Sequence, residues 1–121
     1  MPRVVHFKIH ADSLERAGKF FKKVSGWKIE KWQGPMDYRL VTTGEQKEPG
    51  INGEIMKRVG NGSVWNTVDV PSVDEYIQKI VKAGGKVVTP KTAVPGVGWT
   101  AYCQDSEGNV FGLMQMGTSA K

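Results

Sequence analysis

The feature that most constrains this chain is an internal duplication. Moving the numbering by 59 lays Leu14, Ala17, Phe21, Val24 and Gly26 onto Val73, Tyr76, Ile80, Ala83 and Gly85, so two amphipathic helices bury the same face and stop at the same place. One strand pattern precedes each helix and three follow it. The chain therefore reads as α+β: two tandem β-α-β-β-β modules, residues 4–58 and 64–116, in a single domain of 1–121. Paired modules of this kind turn concave sheets toward one another and enclose a pocket instead of a solid core.

The local grammar supports the repeat. In residues 4–10, Val5, Phe7 and Ile9 point one way, under the helix, and His6, Lys8 and His10 the other. Asp12 with Glu15 reads as a capping pair that opens a helix with the stripe Leu14, Ala17, Phe20, Phe21 and Val24, closed by Gly26. Strands are expected over 27–32, 38–43 and 51–58, with a turn at Gly34 and Pro35, a polar loop over 44–50 and a joint over 59–62. The second module begins with a strand over 64–70, where Val68 and Val70 face the helix and Trp65 the opposite side. A full capping box from Ser72 to Glu75 follows. Ala83, Gly84 and Gly85 end that helix; 86–88 is strand, 90–98 a loop, and 99–105 with 110–116 a hairpin. Residues 118–121 read as a frayed tail.

Composition narrows the classes. A length of 121 residues buries a real core, and no stretch approaches the roughly 20 apolar residues of a membrane span. The opening residues pass straight into strand pattern without a secretory core, and Cys103 is the single cysteine, so a reducing, cytoplasmic setting is expected. The net charge of +5 raises nucleic acid as a partner, but Lys19, Lys22, Lys23, Lys79 and Lys82 are spread over two helices with no aromatic ladder, which reads as solvated faces. Neither a nucleic-acid nor a membrane partner is expected. Cys103 reads as a small buried hydrophobe, and neither Gly84-Gly85 nor Gly96-Val97-Gly98 has the pattern of a phosphate loop.

Several pieces in order carry a resemblance: His6-Phe7 before the Glu15-Arg16-Ala17 helix, Phe21 and Gly26-Trp27, Pro49-Gly50-Ile51-Asn52-Gly53, Pro95-Gly96-Val97-Gly98-Trp99, and Asp105-Ser106-Glu107-Gly108-Asn109. Together they resemble the glyoxalase / bleomycin resistance protein / extradiol dioxygenase group, the vicinal oxygen chelate superfamily. The resemblance implies a glyoxalase-like half-open barrel with a concave ligand pocket, a homodimer, and a ligand site on the sheets. It does not imply one reaction, since the group holds lyases, isomerases, epimerases, dioxygenases and proteins that only sequester a drug.

The resemblance also implies four places for metal ligands, on the first, fourth, fifth and eighth strands. His6 fills the first. The fifth falls on Trp65, which has no donor, and the eighth on Gly112, which has no side chain. On the fourth strand, matching Ile55-Met56 to Leu113-Met114 gives Glu54, whereas matching Gly53 to Gly112 gives glycine. The expectation is no cofactor and no complete metal site, with at most a weak divalent ion at His6 and Glu54.

The candidate residues keep two readings. His6 is a pocket base or a hydrogen-bonded structural residue; Glu54 is a desolvated proton acceptor or a solvated strand-end carboxylate; His10 reads as exposed. The expected ligand pocket comprises His6, Lys8, Glu54, Met56, Trp65, Thr67, Trp99, Gly112 and Met114, with His6 and Glu54 as the catalytic candidates. Two functions follow. One is a metal-free protein that binds a flat, apolar small molecule; the other is a glyoxalase-like lyase or isomerase acting on a small carbonyl or thioester substrate, with His6 and Glu54 moving protons.

Overall fold

The structure is a computed structural model and describes residues 2–120. Eight strands and two helices are present among the described residues: β1 (Arg3–Ala11), α1 (Leu14–Ser25), β2 (Lys28–Lys31), β3 (Tyr38–Thr42), β4 (Gly53–Lys57), β5 (Val64–Asp69), α2 (Val73–Lys82), β6 (Lys86–Val94), β7 (Gly98–Gln104) and β8 (Val110–Met116). The fold is α+β, glyoxalase-like, and the β-α-β-β-β order occurs twice. No described helix is long and apolar enough to cross a membrane. The chain divides into two compact units, His6–Trp65 and the segment running on from Asn66, to which the first residues of β1 also belong.

In the first unit the strand order is β2-β3-β4-β1, with β1 parallel to β4 and the β2-β3-β4 meander antiparallel. Helix α1 covers one face, where Ala11, Leu14, Val41 and Ile55 form the core and Phe7, Ile9, Ala17, Phe21, Trp27 and Ile29 pack around it. The helix starts at Ser13, whose side chain accepts a hydrogen bond from the Arg16 backbone N–H, so the cap lies one residue beyond the expected Asp12. Asp12 instead bonds Arg58, with Oδ1 2.9 Å from Nε. Gly26 closes the helix at φ 69°, a left-handed conformation that suits glycine. The expected stripe is too wide. Phe20 and Val24 are more than half exposed, while Gly18 is buried beside Ile29. Val5 is also exposed, not packed under a helix.

The second unit repeats the plan as β5-β8-β7-β6, with β5 parallel to β8. Val70, Val73, Ala101, Cys103 and Leu113 form its core beneath α2, flanked by Val68, Tyr76, Ile77, Ile80, Trp99 and Phe111. Ser72 caps α2 by accepting from Glu75 N–H at 3.1 Å, as the capping box predicts. Two expectations fail here. The strand after α2 does not stop at 88 but runs to Val94 through Pro90, because β6 is the edge of its sheet and its pairing with β7 shifts register between Thr89 and Thr92, an irregularity that accommodates a residue without an N–H. Likewise Ala120 is buried, and its carbonyl accepts from Gly96 N–H at 3.0 Å, so residues 118–120 are tied to the 95–97 turn rather than frayed.

Candidate functional site

Strand alternation decides which side chains leave the core. In the first unit Phe7, Ile9 and Ala11 go under α1, which sends His6, Lys8 and His10 to the helix-free face. On β4, Ile55 belongs to the core, so Glu54 and Met56 share that helix-free face. Cross-strand pairing fixes the register: Lys8 stands opposite Glu54 and His10 opposite Met56 on β1–β4, while Leu40 and Tyr38 stand opposite the same two residues on β3–β4. The second unit pairs Thr67 with Gly112 in the corresponding place. Of the two sequence matches for the fourth strand, the one giving Glu54 is therefore correct.

Glu54 is 6% exposed, and its Oε1 accepts a hydrogen bond from Lys8 Nζ, itself on a buried residue. His6 Nε2 lies 3.6 Å from the same oxygen, beyond hydrogen-bond length, with about a third of its side chain exposed. Burial by itself pushes the Glu54 carboxyl up, but the approach of His6 and the charge and hydrogen bond of Lys8 outweigh it, and the net direction is down. The carboxylate is thus ionised and neutralised in place. Lys8 Nζ also lies 5.1 Å from the centre of the Tyr38 ring, which stacks on Trp32 at 5.6 Å and 17°. Tyr38 and Trp32 were not among the expected pocket residues. Their signal was the hairpin itself, since the turn at Gly34 and Pro35 folds β3 back so that Tyr38 opposes Met56.

His10 overturns its expectation. It is 5% exposed, and its Nδ1 accepts from Val59 N–H at 3.2 Å while its own backbone N–H bonds Ser63 O at 2.8 Å. Trp65, 8% exposed, meets the imidazole edge-on with ring centres 4.0 Å apart. Burial, then the nearby charges of Arg58 and Lys8, hold His10 below its ordinary value and therefore neutral. Its Nε2 has no hydrogen-bond partner among the described residues.

In the second unit Thr67, Gly112 and Met114 leave the core together, joined by Thr100 and Tyr102, which pair with Met114 and Gly112. Thr67 is 3% exposed with an unpartnered Oγ1, 3.2 Å from where a Cβ on Gly112 would stand. Trp99 departs from the expected pocket: it has the parity of Ala101 and Cys103, packs against the α2 core and carries Lys91 5.4 Å from its ring centre.

The donor set does not fit a divalent ion. Such an ion needs three or four converging nitrogen or oxygen donors. His6 and Glu54 supply two, and the oxygen they would share already holds the Lys8 ammonium; Trp65 and Gly112 supply none. Among the described residues no group of three or more His, Cys, Asp or Glu side chains converges.

Comparison with known proteins agrees with this architecture. A family model described as Bleomycin resistance protein-like N-terminal matches residues 3–44. Among solved structures, Streptomyces coelicolor methylmalonyl-CoA epimerase in complex with 2-nitronate-propionyl-CoA superposes with a TM-score of 0.69 at 13% identity, covering 98% of this chain and 97% of that one. A hypothetical protein from Bacillus halodurans gives 0.67 at 16%, covering 99% and 98%, and methylmalonyl-CoA epimerase from Mycobacterium tuberculosis gives 0.63 at 14%, covering 93% and 87%. No curated protein sequence matches. The duplicated β-α-β-β-β order and these superpositions give the chain the fold of the glyoxalase-like proteins, and the bleomycin-resistance-like model covers its first β-α-β-β stretch.

Proposed function

We propose that this protein binds a small organic molecule on the helix-free face around Lys8, Glu54 and Tyr38, and that it does so without a divalent metal. The observation that carries the reading is the state of Glu54. A general base works best when its proton affinity is raised toward the working pH, and Glu54 is shifted the other way by its partners. The arrangement offers instead a fixed pair of charges beside the stacked Tyr38 and Trp32 rings and the adaptable Met56 thioether. That surface suits a flat, largely apolar molecule with one or two polar groups. The match to the bleomycin-resistance-like model and the likeness in fold to an epimerase holding a CoA ester are in keeping with it. A homodimer belongs to the same reading, supported by the apolar side chains of Val81, Val88 and Met116 left exposed.

A second reading, a glyoxalase-like lyase or isomerase, is favoured by one observation: His6 is accessible and lies 3.6 Å from a carboxylate, so its imidazole can take a proton from a small carbonyl or thioester substrate. One experiment separates the two. Chelator-treated protein is screened by ligand-observed NMR against flat aromatic and carbonyl compounds, and each binder is then incubated in D2O. Binding that is lost in Tyr38→Ala, with no deuterium entering the binder, is the expected result. A screen without binders sinks the proposal, and deuterium uptake abolished by His6→Ala selects the enzyme.

A further inference from the structure

An imidazole and a carboxylate on one sheet face, 3.6 Å apart, make half of a cation site. Here the cation is covalently supplied. Lys8 leaves β1 two residues after His6, on the same face, directly across from Glu54, and its ammonium hydrogen-bonds the carboxylate oxygen nearest to His6. Both side chains of the ion pair are about nine-tenths buried, so a dissolved cation cannot displace the ammonium by simple exchange with water. The Tyr38 ring confines it from another side.

We infer that Lys8 is a resident cation that occupies the His6–Glu54 place and excludes free divalent ions from it. The inference rests on the reading of this face as a metal-free binding site and names the side chain responsible. Charge stays with the protein under chelators, because it is part of the chain.

Zinc alone tests the cation place, with no ligand required. Wild type, Lys8→Ala, Lys8→Gln and Lys8→Ala/Glu54→Gln are titrated with zinc sulfate while the His6 imidazole nitrogens are followed by NMR and melting temperature is recorded. The expected result is that His6 signals of the wild type stay unmoved, whereas Lys8→Ala binds zinc through His6 at least about tenfold tighter, equivalent to about 1.4 kcal/mol, and melts at a higher temperature when zinc is added. The gain should vanish in Lys8→Ala/Glu54→Gln, which removes the carboxylate. Lys8→Gln keeps a donor on Glu54 but no charge and carries the same expectation, so the test stands even if Lys8→Ala does not fold. Equal zinc affinity in wild type and the Lys8 variants overturns the inference. Because no organic ligand is used, that failure is separate from an empty ligand screen.

Discussion

Lys8 and Glu54 face each other across two parallel strands, and each removes the cost of burying the other. Neither residue type is tolerated in a protein interior without a partner. Their pairing gives the first module a polar centre where the second module has Thr67 opposite Gly112.

Breaking that pair from one side should be expensive. Lys8→Met leaves an uncompensated carboxylate and is expected to cost about 3 kcal/mol in urea unfolding, while Lys8→Met with Glu54→Leu should recover most of the loss. A single-variant cost below about 1 kcal/mol would mean that water reaches Glu54 and that the pair is a surface feature.

Acid should weaken the fold in two stages. His10 is held below its ordinary value of about 6.5, so its contribution is complete above that pH and is lost as pH falls from there toward its folded value. Glu54 is also lowered, so its contribution is present above the ordinary carboxyl value of about 4.3 and disappears at still lower pH. Unfolding free energy measured from pH 8 to 3 should fall in that order, and His10→Gln should remove the first stage alone. A wild-type curve flat between pH 7 and 5 contradicts the neutral, buried His10.

Two glycines with ordinary backbone angles should respond very differently to alanine. At Gly98 a Cβ would stand 2.1 Å from the Gln115 carbonyl oxygen, a backbone atom that cannot step aside without parting β7 from β8. At Gly112 it would meet Thr67 Oγ1 and the Tyr102 ring at 3.2 Å, which small side-chain shifts relieve. Gly98→Ala is expected to cost about 3 kcal/mol or more and Gly112→Ala less than about 1.5 kcal/mol, read from thermal melts.

The proposed homodimer predicts a light-scattering mass of twice the chain at micromolar concentration. Val88→Lys should lower it if the exposed edge strand β6 takes part, since a lysine on an edge opposes strand addition. A monomeric wild type at every concentration removes the dimer from the proposal.

How much of this could be read from the residues depends on the range of the forces involved. Local signals worked: Ser72 with Glu75 placed the start of α2, Gly26 the end of α1, and period-two alternation sorted Phe7 and Ile9 from His6 and Lys8. Signals that depend on a distant partner did not. His10 is buried because residues 59–65 return to cover it, and the Lys8–Glu54 pair joins positions 46 apart. Pro90 read as loop because an isolated proline says nothing about whether its strand is central or at the edge. The face of Trp99 was misassigned for a simpler reason: its parity with Ala101 and Cys103 was available in the sequence.

The return of residues 59–65 over His10 has an evolutionary consequence. A Cβ on Gly62 would stand 2.5 Å from the His10 ring nitrogen that accepts the Val59 N–H. Positions 10 and 62 therefore cannot drift independently. A library randomising residue 62 alone should return glycine, whereas one randomising both should admit larger residues at 62 only alongside smaller ones at 10, so the two behave as a single heritable unit.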